Sequence, residues 1–164
     1  QFLTLKGQGA LIPAPAESDY AAEVFDSAGA SVGKYVSLAW AINTAPAGAT
    51  VKLLRDVTLT ASLNLGNQNA VTFDGNGHTL TVRAADTAIR LTSVELTFVN
   101  VKLVNTIKSA TAYGITCFAG AKLSFVSGSI TTDGADYAVY KAQGTPDVTL
   151  AADVTVTGAA NVSN

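Results

Sequence analysis

Sulfur is almost missing from this chain: it has no methionine and one cysteine, Cys117. A single thiol excludes an intrachain disulfide, so stability has to come from packing. A first residue other than methionine implies a processed protein or an excised piece of a larger one, on which no signal peptide would be visible. Charge is scarce as well, with 13% Asp, Glu, Lys and Arg against about 25% in an ordinary soluble domain. The net charge of −2 and the scattered basic residues leave no electrostatic footprint for nucleic acid. No apolar run approaches the roughly 18 residues of a membrane span. His78 is the only histidine, and without cysteine or clustered acids nearby in sequence it offers no metal-ligand spacing and no nucleophile to activate. It reads as a polar turn residue ahead of a strand. No metal and no cofactor is implied.

What is present instead is Thr, Ser, Asn and Gly, the residues of strands and tight turns. A Thr-rich, low-charge, nearly sulfur-free chain fits an extracellular or cell-surface-attached protein of bacterial type. Its 164 residues suffice for one domain with its own core.

The organising signal is a repeat of apolar pairs. Val71-Thr72-Phe73, Leu96-Thr97-Phe98, Leu123-Ser124-Phe125 and Val148-Thr149-Leu150 are spaced 25, 27 and 25 residues apart. Leu63-Asn64-Leu65, Ile89-Arg90-Leu91, Ile115-Thr116-Cys117 and Val139-Tyr140-Lys141 lead them at spacings of 26, 26 and 24. A third row comprises Val57-Thr58-Leu59, Leu80-Thr81-Val82, Val101-Lys102-Leu103, Gly128-Ser129-Ile130 and Val154-Thr155-Val156. Polar residues Asp56, Asn76, Asn100, Ser127 and Asp153 mark the corner between the second and third rows. Three short strands in constant phase, repeated about every 25 residues, predict an all-β fold: a right-handed, single-stranded parallel β-helix of about four turns. Each strand then pairs with its equivalent about 4.8 Å away, and Phe73, Phe98, Phe125 and Leu150 stack inside.

Ahead of the repeat, residues 1–21, with Gly7, Gly9, Pro13 and Pro15, read as a lead-in segment. Residues 22–49 read as a cap: a hairpin around Ser27-Ala28-Gly29, then a helix over 37–45. Ser37 is its N-cap, Leu38, Ala41, Ile42 and Ala45 form its apolar stripe, and Pro46 and Gly48 stop it. Residues 50–164 form the β-helix, all within one domain. Lys141 replaces Leu and Cys in an inward column and marks the last turn. No second cap follows, which predicts continuation of the stack or end-to-end stacking on a partner.

The run Ser37 to Ile42, then Ala45 to Leu59, then Phe73-Asp74-Gly75-Asn76-Gly77-His78-Thr79-Leu80 resembles the entry to right-handed β-helix domains of the pectin-lyase-like superfamily. It is similar in particular to such domains in large secreted or wall-attached bacterial surface proteins, over residues 22–160. That scaffold carries lyases, glycosidases, adhesins and tailspikes, so the resemblance implies fold more than activity.

In the enzymes of that superfamily the first strand row carries the active face. Its outward residues here are Asn64, Arg90, Thr116 and Tyr140, with Asp86, Asp133 and Asp136 in flanking loops. An Arg beside carboxylates is the material of a calcium-assisted lyase. However, no outward acids lie on adjacent turns, and the paired-Asp, His and Arg-x-Lys pattern of polygalacturonases is absent. Tyr140 and Arg90, with Asn64, Thr116, Asp86 and Asp136, instead suit stacking on and hydrogen bonding to a sugar. The expectation is a non-catalytic surface module that binds a glycan or a host or cell-surface protein, or that acts as a spacer. A polysaccharide lyase or glycosidase is the alternative. Ice binding through the hydroxyl rows Thr72, Thr97, Ser124, Thr149 and Thr58, Thr81, Ser129, Thr155 is a remote one, since Lys102 interrupts the second row. Cys117, in an inward slot, reads as a buried, inert thiol.

Overall fold

The computed structural model describes residues 3–6 and 10–164, with side chains from Pro13 onward. Strands β1 (Leu3–Lys6) and β2 (Ala10–Pro13) form an antiparallel pair within the stretch read as a lead-in segment. Gly7 and Gly9, assigned to that lead-in, lie outside the described residues. A 3-10 turn at Glu17–Asp19 precedes β3 (Ala22–Phe25) and β4 (Ser31–Tyr35), the antiparallel hairpin signalled by Ser27-Ala28-Gly29. Helix α1 (Leu38–Asn43) follows, with the Ser37 hydroxyl accepting the Trp40 N–H at 3.2 Å.

The chain then winds in rungs. The first holds β5 (Thr50–Leu53) and β6 (Val57–Leu59). The second holds β7 (Leu63–Leu65), β8 (Val71–Asp74) and β9 (Thr79–Val82). The third is β10 (Thr87–Leu91), β11 (Glu95–Val99) and β12 (Val101–Lys108). The fourth is β13 (Tyr113–Cys117), β14 (Lys122–Phe125) and β15 (Gly128–Asp133). The fifth is β16 (Tyr137–Lys141), β17 (Asp147–Leu150) and β18 (Thr155–Thr157), after which β19 (Ala160–Val162) begins another. Every third strand pairs in parallel, giving three sheets: β7-β10-β13-β16-β19, β5-β8-β11-β14-β17 and β6-β9-β12-β15-β18. The fold is a parallel β-helix of about five turns.

Lys141, read as marking the last turn, lies in the last complete rung, and only β19 follows that rung. Lys141 is half-buried opposite Cys117, but Val139 pairs onward with Val162, and the Lys141 N–H donates to the Ser163 hydroxyl at 2.8 Å. At three residues, Ala160-Asn161-Val162, β19 is too short to show as a further repeat.

The second sheet keeps the anticipated register, Val71↔Leu96↔Leu123↔Val148 and Phe73↔Phe98↔Phe125↔Leu150. The three phenylalanines are fully buried and touch in a line, with ring centroids 5.5 Å and 5.2 Å apart. The third sheet departs from expectation between rungs. Leu103, not Val101, faces Leu80, and Lys102 faces Thr79. The cause is the turn Asp74-Gly75-Asn76-Gly77. Gly75 lies against the Asn100 carbonyl, so from there to the next ladder residue the second rung needs two more residues than the third. The hydroxyl row read from the sequence therefore splits into two columns, Thr58–Thr81–Val104–Thr131–Thr157 and Thr79–Lys102–Ser129–Thr155.

At the same corner Asn76 and Asn100 adopt left-handed dihedrals (φ 51° and 52°), which asparagine tolerates. The Asn100 N–H donates to the Ser127 hydroxyl of the next rung at 2.8 Å. Gly128 (φ 119°) lies against the Val101 backbone where any Cβ would collide.

The N-terminal opening is closed differently for each sheet. Leu38, Ala41 and Ile42 of α1 are buried against the stack below β7. Asn43 completes that edge: its Nδ2 donates to the Asn64 carbonyl at 3.1 Å and its Oδ1 accepts the Gly66 N–H at 3.0 Å. A side-chain amide thus stands where a neighbouring strand's peptide would be. The second sheet is closed by β3, which pairs antiparallel with β5 and carries β4 outside it.

Two outcomes follow. Phe98→Ala removes the middle ring of the column and is expected to cost about 3–5 kcal/mol in denaturant unfolding, whereas Thr97→Ala on the outward face costs under about 1 kcal/mol. The Asp56 carboxylate accepts the Thr79 N–H at 2.9 Å and has His78 Nδ1 at 3.4 Å, which hold its pKa below the ordinary 3.8. Its contribution is therefore complete above that value and is lost as pH falls through the lower, folded pKa. Asp56→Ala should be less stable than the parent at neutral pH, with the gap closing in melts taken below about pH 4.

Candidate functional site

The first sheet brings the sequence-predicted residues into one outward column. Asn64, Arg90, Thr116 and Tyr140 are in register on β7, β10, β13 and β16. Asn64 is exposed, and Arg90 and Tyr140 are half-exposed. Thr116 differs: it is 5% exposed, and its Oγ1 is buried with no hydrogen-bond partner. It lies between the two large side chains of the neighbouring rungs, which is how an outward residue becomes covered.

Asp86, four residues before Arg90, forms an ion pair with its guanidinium. Asp136 occupies the equivalent position before Tyr140, with Ala112 between the two on the intervening rung. The Asp136 backbone is fixed by its N–H to the Ala110 carbonyl at 2.8 Å. Its carboxylate is exposed and makes no ion pair among the described residues. Asp133 lies apart from this column, at the end of β15 opposite Lys108.

Two tyrosines that the sequence reading passed over complete the face. Tyr113 stacks on Tyr140 with centroids 4.7 Å apart and planes 6° from parallel, and Tyr137 is tilted 31° against Tyr140 at 6.2 Å. Partial burial, the Tyr140 ring and the carboxylates of Asp136 and Asp86 together push the Tyr113 phenol above its usual pKa. The signal was in the repeat phase: Tyr113 and Tyr137 each stand three residues before the column residue of their own rung.

This cluster is held from beneath by Asn105, which fills an inward slot after Leu103 and is 1% exposed. Its Nδ2 donates to the Ala84 carbonyl at 3.0 Å and to the Tyr113 carbonyl at 3.2 Å, and its Oδ1 accepts the Ala84 and Ile107 N–H groups. A buried amide with all its contacts made ties the loop carrying Asp86 to the strand carrying Tyr113.

At the other edge of the same sheet lies a groove of about 520 Å³. Asn64, Arg90, Phe118 and Gln143 line it, over a floor that includes Leu65 and Gly66. Arg90 borders the groove while paired to Asp86, and the groove and the tyrosine cluster are two features of the same sheet.

The remaining candidates have ordinary surroundings. His78 contacts Asp56 at a turn, as described. Cys117 is fully buried, and desolvation pushes its thiol up to about 12, too high for a nucleophile. Among the described residues, no three His, Cys, Asp or Glu side chains lie close enough to hold a metal ion.

Thr116→Val removes the unpartnered hydroxyl at constant shape, so unfolding measurements should show stability unchanged or raised by up to about 1 kcal/mol. Thr87→Val is the contrast, since its buried Oγ1 donates to the Ile89 carbonyl at 3.1 Å, and it should lower stability. Comparison with protein-family models, with curated proteins and with solved structures yields no match to this chain.

Proposed function

We propose that this chain is a non-catalytic β-helix module of a bacterial surface protein, working outside the cell, that binds glycans through the outward face of its first sheet. The observation that carries the reading is the Tyr113–Tyr140 stack with Tyr137 beside it, on the same sheet as a groove edged by Asn64, Arg90 and Gln143. Sugar rings offer C–H faces to aromatic rings and hydroxyls to amides and guanidinium, and this face supplies both partners side by side. The resemblance of residues 22–160 to surface β-helix domains of the pectin-lyase-like superfamily points the same way.

Two other readings have less support. A lyase would need Arg90 free to take a proton, but Asp86 engages it. Ice binding would need flat, repeated hydroxyl columns. The Thr50–Thr72–Thr97–Ser124–Thr149 column of the second sheet is instead flanked by Glu95, Lys122 and Asp147, and the columns of the third sheet are broken by Lys102 and Val104.

Removing a stacking ring costs about 0.5–1.5 kcal/mol, so Tyr140→Ala should weaken retention on immobilised polysaccharide up to about tenfold. Arg90→Ala should weaken it too. Affinity electrophoresis in gels containing neutral, amine-bearing or uronate polymers measures this directly. Retention unchanged by both substitutions would remove the first sheet as the binding face.

A further inference from the structure

Resting on the glycan-binding reading, we infer that the site selects amine-bearing sugars and rejects polyuronates, with Asp136 as the specificity-determining residue. The only guanidinium on the face, Arg90, is already neutralised by Asp86. Asp136 stands next to Tyr137 at the edge of the tyrosine cluster, with an exposed carboxylate that no cation pairs among the described residues. A sugar stacked on Tyr137 or Tyr140 is therefore presented to an unpaired negative charge. An ammonium substituent there gains an ion pair and lies beside π faces that attract cations. A carboxylate on every sugar meets like charge there, while Arg90 is engaged by Asp86 and Lys141, the residue after Tyr140, is half-buried in an inward slot opposite Cys117.

Binding of soluble hexamers of glucosamine, glucose and galacturonic acid would be compared by calorimetry at low salt and about pH 5.5, where aspartate is ionised. The expected order is glucosamine, then glucose, then galacturonate. Asp136→Asn has no side-chain hydrogen bond to lose, so it should fold normally and reduce glucosamine affinity about two- to fivefold, with a smaller effect on glucose affinity. Asp153→Asn, at a corner between other sheets, controls for bulk attraction of a cationic sugar to an acidic protein. If it weakens glucosamine binding as much as Asp136→Asn does, the assignment to Asp136 is overturned. Galacturonate binding at least as tightly as glucose, with Tyr140→Ala still weakening it, overturns the selectivity and leaves glycan binding intact. Failure of all three hexamers to bind the parent protein overturns glycan binding and the selectivity with it.

Discussion

Each strand of this molecule hydrogen-bonds to its own equivalent one rung away, and everything else follows from that pairing. Because side chains alternate across a strand, a parallel ladder of equivalents lines up like with like: Phe73 under Phe98 under Phe125, and Ile89 under Ile115 under Val139. An odd slip would turn an entire inward column out to water, whereas an even slip preserves the faces. In the third sheet the displacement between β9 and β12 is by two residues, and Leu80 still finds an apolar partner in Leu103; the shift between Val104 and Lys108 against β15 is also by two. The extra residues of the Asp74–His78 turn are absorbed at the corner, where Asn76 and Asn100 can take left-handed dihedrals without disturbing the ladders above and below.

A ladder of equivalents has no internal reason to stop, so its ends require separate solutions. At the N-terminal end the three sheets are treated individually. Helix α1 and the Asn43 amide close the first, and the antiparallel β3–β4 pair closes the second. The third is left with β6, an edge of only three residues, too short to template much pairing. A helix suits the first sheet because its buried stripe of Leu38, Ala41 and Ile42 lies against the apolar interior, while its end delivers one amide to β7. Asn67 then takes up the Ile42 and Ala45 carbonyls that the helix cannot satisfy itself.

How much of this was legible follows from where each residue sits in the repeat. The inward–polar–inward triplets of the first and second sheets show directly in the sequence, because burial on one face forces period-two alternation. Register in the third sheet did not show, because a pattern of alternating residues looks the same after a slip of two. Of the site, the column Asn64–Arg90–Thr116–Tyr140 was legible as the outward positions of known triplets. Tyr113 and Tyr137 lie outside those triplets, at strand starts, and reach Tyr140 only through ring orientation. Asn105 was invisible for another reason. A polar residue ends an apolar run and so reads as a corner, yet here it faces inward and clamps two backbones. Thr116 was rightly placed outward but is covered, since exposure depends on the size of its neighbours on adjacent rungs.

The division of labour between faces bears on function. The inward columns supply the stabilisation, so the outward positions need only tolerate water, as the Thr and Ser columns of the second sheet do. Three clustered tyrosines and an unpaired carboxylate are more than tolerance requires. Large half-exposed rings on a surface otherwise built of Thr, Ser and Asn hold apolar area in contact with water, and their mutual stacking recovers only part of it. The clamp beneath them adds to the contrast. Asn105 is a fully engaged buried amide whose bonds run to Ala84 and Tyr113, the backbone segments that present Asp86 and the first ring of the stack. A fold that needed only to continue could place an aliphatic residue there, as it does with Val82 on the rung before. Fixing the spacing between a carboxylate-bearing loop and an aromatic face serves recognition of something set against both.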